Sequence, residues 1–316
     1  MQPAPTGAVT AQVGDTGLLP EGAPVVVLLS GGQDSVCLLD VAVALAGRGF
    51  VRALHVNYSL RAEADEDQAH CLALCERLEV PLSVERVRRP ADAPGNLQAW
   101  ARDVRYAAGA RAAAGGGGTL AAGHTADDQV ETVLYRLATS PGRRALLGMP
   151  ARSGRLVRPL LGVTRAQTAA HCAARGLPWR EDPSNETDAY ARGRVRHRLV
   201  PALEAVDGRA HDNVLRTAEL LRDESQVLDT VVQTALAGRD HILVAQLAQL
   251  PVALGRLVVR ELAEAAISGR PCPRAASRLP EILALGDGAL DVGDGARALV
   301  RDGVLRFGRT PERAAS

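Results

Sequence analysis

The sequence predicts an α/β protein, in which a doubly wound, mostly parallel sheet is followed by a smaller α+β domain. Two observations predict the sheet: short apolar runs alternate with stretches of helical periodicity, and the first run leads into a glycine-rich turn. The second domain is predicted by a change of pattern after about Arg198, where long amphipathic stretches replace the alternation. With 316 residues, 47% of them apolar, the chain can fill two cores.

The first strand is expected at Pro24–Leu29, a continuous apolar run typical of a strand buried on both faces. A helix follows over Ser35–Ala46 and ends at the glycines of Gly47–Gly49. Right-handed connections between such units give a doubly wound sheet, with ligands at the carboxyl ends of its strands. Further strands are expected at Val51–Val56, Ser83–Val87 and Thr119–Ala122, and helices near Ala64–Leu78 and Leu97–Ala114.

The second part is expected to begin with one long amphipathic helix over Asp212–Ala237. Two shorter helices are predicted at Pro251–Ile267 and Ala275–Leu285, and Asp302-Gly303 between alternating runs indicates a hairpin. We therefore expect a flexible tail over residues 1–20, an α/β domain over 21–205, and a helical linker with a small α+β domain over 206–316.

Charge and cysteine usage limit the functional classes. All 37 basic residues are arginines, so no lysine can anchor a phosphate, and the stretch between Thr132 and Arg180 holds no acidic residue while arginines accumulate in it. Such a segment suits a polyanion such as nucleic acid, although solvated arginines explain it equally well.

Five cysteines without a Cys-x-x-Cys pair predict reduced thiols, and the absence of a signal peptide or membrane segment predicts a cytoplasmic protein.

The turn after the first strand is the stretch Ser30–Ser35, Ser-Gly-Gly-Gln-Asp-Ser. It lacks the spacing and the lysine of a Walker loop. Adjacent glycines before a helix instead bring backbone N–H groups around an anion, with the hydroxyls of Ser30 and Ser35 as further donors. Asp34 beside a phosphate suggests a Mg²⁺ ligand, and the alternative is a helix cap in an ordinary turn.

This loop resembles the pyrophosphate loop, or PP-loop, of the ATP pyrophosphatases, which cleave ATP between the α- and β-phosphates. Later segments resemble the tRNA(Ile)-lysidine synthase family, and together they cover roughly residues 24–201 in the expected order. They are His55–Arg61, Gly123–Thr132, Arg158–Leu161, Glu181–Asn185 and Arg192–His197. The sequence departs from the family at Tyr58, Ser59, Thr139–Gly142 and Gly193, which affects a flexible loop and the tRNA contacts.

The resemblance implies an ATP-binding catalytic PP-loop domain over 21–205, a C-terminal domain within 206–316 that binds tRNA, and a two-step ligation. ATP adenylates the C2 oxygen of the wobble cytidine in an isoleucine tRNA with a CAU anticodon, and the ε-amine of free L-lysine then displaces AMP to give lysidine. It further implies that Ser30, Gly31, Gly32, Gln33, Asp34 and Ser35 bind ATP, that Asp34 and Asp128 hold Mg²⁺, and that a homodimer can form. The alternatives are another ATP pyrophosphatase, which adenylates a different tRNA base or a small-molecule carbonyl, and a non-catalytic nucleotide- or RNA-binding module.

Lysine must lose a proton before it attacks, so its site needs carboxylates. Asp128 and Glu131 lie three residues apart on a predicted helix and share a face. We interpret them as lysine-binding and catalytic, together with Asp34, and we assign His124 to the activated cytidine or a phosphate. The alternative is a helix-cap cluster, in which Asp127 is the residue most suited to a purely capping role.

Other candidates come from the arginine-rich runs. Arg102, with Arg105 near it on a helix, is expected to reach the ATP phosphates, and His55 to lie beside the adenine, although an exposed helix face explains the arginines equally well. The tRNA phosphates are assigned to arginines of two runs, for which a salt-bridged domain junction is the alternative. These arginines are Arg143, Arg144, Arg192, Arg194 and Arg196.

Overall fold

The computed structural model describes residues 5–59, 63–90, 96–140, 142–181, 188 and 190–311. Leu60 and Arg61 of the second motif, Pro141, and most of the Glu181–Asn185 motif lie outside these residues. The chain divides into two compact units, Met1–Leu221 and Arg222–Ser316. The finer domain limits given above stay predictions.

The first unit is built on a six-stranded sheet with the order β3-β2-β1-β4-β6-β5. All neighbouring strands run parallel except the β5–β6 pair at one edge. This confirms the predicted fold class. The strands are β1 (Val25–Leu28), β2 (Val51–Asn57), β3 (Leu82–Arg86), β4 (Thr119–Ala121), β5 (Arg152–Ser153) and β6 (Leu156–Val157).

Helices cover both faces of this sheet, because its central strands are apolar on both sides. Val25 and Val27 of β1 face one core, while Val26 and Leu28 face the other. The helices are α1 (Pro5–Gly14), α2 (Gln33–Ala46), α3 (Ala64–Leu78), α4 (Leu97–Gly115), α5 (Ala126–Thr139), α6 (Arg143–Leu146), α7 (Arg165–Ala174), α8 (Ala191–Arg194), α9 (Val200–Val206) and α10 (Ala210–Leu236), with a π-helical turn at Val195–Leu199. The loops after β1 and β4 therefore meet at one edge of the sheet.

The N-terminal segment differs from the flexible tail that we expected. Residues 5–14 form α1, and Val9 and Val13 are buried in the same core as β1 and α2. Leu18 and Leu19 are also buried there. Val9 and Val13 lie four residues apart and so share one face of α1, and the burial of all four apolar side chains stabilises the segment despite its glycines and proline.

The second unit contains a four-stranded antiparallel sheet with the order β7-β10-β9-β8. The predicted hairpin is present at Asp302 and Gly303, both with positive φ angles. The helix predicted at Ala275–Leu285 is divided into a 3-10 turn (Ala275–Arg278) and α13 (Leu279–Leu283), because Pro280 fits only the first turn of a helix. The other elements are β7 (His241–Leu243), α11 (Val244–Gln249), α12 (Val252–Ala266), β8 (Gly288–Gly293), β9 (Ala296–Arg301) and β10 (Val304–Arg309).

The five cysteines are unpaired and buried, as predicted. Within the described residues, none of the helices combines the length and the apolar character that a membrane crossing requires.

Candidate active site

The PP-loop connects β1 to α2 and is shaped by hydrogen bonds among its own residues. The Ser30 N–H donates to the Ser35 hydroxyl at 3.1 Å, and that hydroxyl donates to the Gly32 carbonyl at 2.8 Å. Gly32 caps α2 with its backbone alone. The first N–H groups of α2 therefore point out of the loop at the helix N-terminus, where an anion is stabilised.

Two glycines allow the loop to take this shape. Gly31 has a φ of +88°, and a Cβ there would lie 3.3 Å from the Cys71 sulfur. Gly123 follows β4, and a Cβ on it would lie 3.1 Å from the Asp34 carbonyl oxygen. Because Gly123 has no side chain, the loop after β4 can pass directly beside the start of α2.

The polar side chains at the start of α2 contact α7. The Gln33 amide donates to the Arg165 carbonyl at 2.6 Å and to the Thr168 hydroxyl at 2.7 Å. That hydroxyl lies 2.6 Å from Asp34 Oδ1, to which it donates. Gln33, which we predicted to bind ATP, thus joins two helices through its side chain.

Asp34, Asp128 and Glu131 converge on the guanidinium of Arg165. Its nitrogens lie 3.8 Å from Asp34 Oδ2, 2.5 Å from Asp128 Oδ1 and 2.9 Å from Glu131 Oε1. The Arg165 backbone N–H also donates to Asp127 Oδ2 at 2.8 Å. We call these four carboxylates and Arg165 the acidic cluster, and it brings together three of the four predicted catalytic residues.

Arg196 completes the contacts of Glu131. Its guanidinium donates to Glu131 Oε1 at 2.6 Å and to Oε2 at 3.1 Å, and one nitrogen lies 3.8 Å from Asp128 Oδ1. Glu131 is buried, and the two arginines are partly buried. Arg196, predicted to bind tRNA, therefore lies against the carboxylates predicted to bind lysine.

Asp128 also belongs to the capping box at the start of α5. The Thr125 N–H donates to Asp128 Oδ2 at 2.9 Å in a capping box. Thr125 is the N-cap, so Asp128 stands at the third helical position, from which a side chain reaches back. Asp128 thus takes part in the helix cap that was the alternative interpretation of these carboxylates, while Asp127 Oδ2 accepts the Arg165 backbone N–H.

Burial raises the pKa of Asp34, and the neighbouring Asp128 carboxylate acts in the same direction. The hydrogen bond from Thr168 and the charge of Arg165 oppose this rise. Because the rise results from missing solvent and from like charge, a cation bound beside Asp34 favours its ionised form.

His124 lies in an environment of the opposite charge. Burial, followed by the charges of nearby arginines, lowers its pKa to about 3, so the imidazole is neutral at pH 7. Its Nε2 lies 3.4 Å from the Tyr106 hydroxyl, and its buried Nδ1 has no hydrogen-bond partner among the described residues. We define the basic cluster as His124 with the arginines that act on it, which are Arg102, Arg105, Arg158 and Arg192.

No described carboxylate forms an ion pair with the arginines of the basic cluster, so its positive charge is uncompensated within the described part of the chain. Arg102 stacks on Tyr106, with its guanidinium carbon 4.7 Å from the ring centroid. Arg158 is buried and donates to the Pro150 carbonyl, while its Nε has no described partner. Such a group of cations is suited to phosphate oxygens.

The other predicted residues have contacts elsewhere in the first unit. His55 is buried, its pKa is lowered by burial, and its Nδ1 lies 2.9 Å from the Leu29 carbonyl oxygen. Arg143 contacts the Leu221 carbonyl, and Arg194 contacts that of Asp188. Arg144 lies beside Arg143 at the start of α6. These contacts hold local structure and leave the predicted nucleotide and tRNA roles untested.

Arg165 and Thr168 were missed by our sequence interpretation. They lie three residues apart at the start of α7, which begins with a capping box from Thr164 to Gln167. The Thr-x-x-Gln pattern after the Arg158–Leu161 motif predicts this helix start, and the three-residue spacing puts both side chains on one face. Their proximity to Asp34 depends on the fold.

Comparison with known proteins identifies related chains. A family model described as a PP-loop domain matches residues 11–203. The chain is 40% identical to a tRNA(Ile)-lysidine synthase from Salinispora tropica over 91% of either chain. It is 42% identical to one from Pseudomonas fluorescens over 66% of this chain and 48% of that one, and 36% identical to one from Symbiobacterium thermophilum over 93% and 67%. The chain thus spans about half the length of some curated relatives and nearly all of another.

Among solved structures, a U34-tRNA thiolase from Methanococcus maripaludis is similar to this chain. Its TM-score is 0.57 at 16% identity, and the match covers 68% of this chain and 78% of the other. At this identity the likeness concerns the fold alone.

Proposed function

Because the chain belongs to the PP-loop family, and within it to the tRNA(Ile)-lysidine synthases, we propose that it ligates free L-lysine to C2 of the wobble cytidine in isoleucine tRNA with a CAU anticodon. PP-loop domains bind ATP, which supplies the adenylyl group. In the first step the C2 oxygen attacks the α-phosphorus and pyrophosphate leaves. In the second step the ε-amine of lysine attacks C2, AMP leaves with the oxygen, and the amine loses a proton.

One observation carries the proposal: the PP-loop and the acidic cluster share Asp34. This carboxylate belongs to the phosphate-binding turn and lies within ion-pair distance of the arginine that contacts Asp128 and Glu131. A reaction that combines a polyphosphate with a cationic amine needs these two kinds of site side by side. A module that only binds nucleotide has no need of the second.

The donor set of the acidic cluster fits Mg²⁺. Asp34 and Asp128 already converge on one cationic group, and their oxygens are hard ligands of the kind Mg²⁺ prefers. Among the described residues no three acidic, histidine or cysteine side chains form a closed metal site, so phosphate and water oxygens would supply the other ligands. We therefore assign Asp34 and Asp128 to Mg²⁺, which when bound neutralises the charge of the leaving pyrophosphate.

The chain's own groups then have distinct tasks. The first N–H groups of α2, with the hydroxyls of Ser30 and Ser35, hold the departing pyrophosphate. The basic cluster, including Arg102, holds the phosphates around the activated cytidine, and neutral His124 supplies a hydrogen-bonding nitrogen there. Asp128 and Glu131 recognise the ammonium of lysine and receive its proton.

The tRNA is held by further arginines. We assign Arg143 and Arg144 at the start of α6, together with Arg192 and Arg194, to tRNA phosphates. Arg196, which is bonded to Glu131, is better suited to maintain the acidic cluster beside the tRNA. A homodimer remains a proposal from the family resemblance.

The decisive experiment measures lysine-dependent AMP release with ATP and Mg²⁺ on isoleucine tRNA bearing CAU and on methionine tRNA bearing the same anticodon. We expect turnover only on the isoleucine tRNA, abolished in Asp34→Asn and retained in Asp229→Asn, which changes an exposed carboxylate of α10. No turnover on either tRNA, with intact ATP binding, would favour an ATP pyrophosphatase with another acceptor.

A further inference from the structure

The carboxylates assigned to lysine have no oxygen without a protein donor. Asp128 Oδ1 lies 2.5 Å from Arg165, and Oδ2 accepts from the Thr125 N–H. Glu131 Oε1 accepts from Arg165 and Arg196, and Oε2 accepts from Arg196. An ammonium that approaches either carboxylate meets a guanidinium group already bonded to it, so it competes with a like charge of the chain for the same oxygens.

Of the two arginines, Arg165 is the one that also contacts Asp34 of the PP-loop. Its main chain is held, because its N–H donates to Asp127, so only its side chain has to move. Arg196 instead holds both oxygens of Glu131 in a bidentate arrangement.

The direction in which Arg165 would move follows from its position. Its Nε lies 3.8 Å from Asp34 Oδ2, at the entrance of the helix that the PP-loop caps. A polyphosphate bound in this loop offers a denser negative charge than one carboxylate and favours bidentate contacts with a guanidinium. Nucleotide binding would thus draw Arg165 away from Asp128 and Glu131.

We propose that Arg165 occupies the ammonium site of the acidic cluster and excludes free lysine until a nucleotide fills the PP-loop. This inference rests on the proposed function, because it takes Asp128 and Glu131 as the lysine site. It makes Arg165 a positioning residue that orders the two substrates: the amine enters only after the phosphates that activate the cytidine are present.

The test is equilibrium dialysis of radiolabelled L-lysine against the full chain, with and without Mg²⁺ and α,β-methylene-ATP, which cannot be cleaved at the reacting bond. In the wild type we expect the nucleotide analogue to raise lysine affinity at least about tenfold. This factor corresponds to the free energy of one hydrogen bond between Arg165 and a carboxylate, about one power of ten in affinity. Arg165→Gln should bind lysine without nucleotide at least about tenfold more tightly than the wild type. Arg48→Gln, which changes an exposed arginine paired with Glu79, should behave as the wild type.

Equal lysine affinity of the wild type with and without the analogue would overturn the inference. So would an Arg165→Gln protein whose lysine binding still requires the nucleotide analogue. If Arg165→Gln does not fold, as judged by circular dichroism, Arg165→Lys replaces it. Its single ammonium cannot bridge two carboxylates as a guanidinium does, so the nucleotide dependence should fall at least about threefold, and an unchanged dependence contradicts the proposal. AMP release by the wild type on isoleucine tRNA distinguishes the proposed ligation from the proposed role of Arg165. If the wild type releases no AMP, the ligation is refuted. If it releases AMP but binds lysine equally well without nucleotide, only the role of Arg165 is refuted.

Discussion

Replacement of Glu131 by glutamine tests the acidic cluster most directly. The substitution keeps the shape of the side chain and removes the charge that accepts three hydrogen bonds, at 2.9, 2.6 and 3.1 Å. The amide NH₂ would also face a guanidinium donor. Two cations then remain in a partly buried site with fewer acceptors.

The expected loss of stability follows from these contacts. A hydrogen bond to a charged group contributes about 1.5–3 kcal/mol, and removing one partner of a fully buried pair costs about 3–5 kcal/mol. Arg165 and Arg196 keep 28% and 30% of their side-chain surface exposed, and Arg165 retains Asp128. Water and Asp128 therefore offset part of the loss, and we expect about 2 kcal/mol.

Urea unfolding followed by far-ultraviolet circular dichroism measures this loss. Glu204→Gln, which changes an exposed carboxylate of α9, is the matched control and should stay within about 0.5 kcal/mol of the wild type. A double-mutant cycle with Arg196→Gln should give a coupling energy of about 1–2 kcal/mol. A loss below about 0.5 kcal/mol for Glu131→Gln, or additive effects in the cycle, would refute the reasoning.

The same variant also separates the two chemical steps. Because Glu131 is assigned to lysine, the variant should still release pyrophosphate with ATP and isoleucine tRNA while failing to transfer lysine. Equal loss of both steps would indicate that Glu131 only maintains the site through its two arginines.

Three further predictions concern other parts of the chain. Gly118→Ala should destabilise the protein by about 2–4 kcal/mol, because the added Cβ would lie 2.4 Å from the Pro24 carbonyl oxygen. Thermal unfolding measures this loss. The control is Gly116→Ala, whose Cβ would have no contact closer than 3.9 Å. The pKa of His124 is lowered to about 3, so the unfolded chain binds the extra proton below about pH 6.5, and stability should fall with decreasing pH. The slope should be up to about 1.4 kcal/mol per pH unit larger in the wild type than in His124→Gln, and equal slopes would contradict the neutral imidazole. Affinity for tRNA should fall steeply with salt, which a filter-binding series measures; a flat dependence would argue against phosphate contacts by the arginines.

Much of the fold could be predicted because its signals are local. The helix α3 has the predicted limits, Ala64–Leu78, and β1 and α2 differ from the predicted elements by two residues or fewer at each end. Apolar periodicity and the glycines of the PP-loop act over a few residues, so the sequence reveals them directly. The resemblance of the ordered motifs to a family likewise depended only on residues read along the chain.

Features that depend on contacts between distant segments could not be predicted. Residues 1–20 were expected to form a flexible tail because they lack a basic start and a continuous apolar stretch, but Val9 and Val13 of α1 are buried in the core that also contains residues of α2 and α7. The helix over Ala275–Leu285 was predicted as continuous, and the packing of Ala275, Leu279 and Ile282 in one core accommodates the break at Pro280.

The sequence by itself determined the α/β sheet, the PP-loop and the identity of Asp34, Asp128 and Glu131 as a set of carboxylates at one edge. Only the tertiary structure decided what these carboxylates contact. Arg165 lies 131 positions after Asp34 and 34 after Glu131, and Arg196 lies 65 after Glu131. The parallel strand order brings these segments to the same edge, and no local pattern reports which arginine a buried carboxylate will pair with, since that choice depends on charge and space contributed by several elements at once.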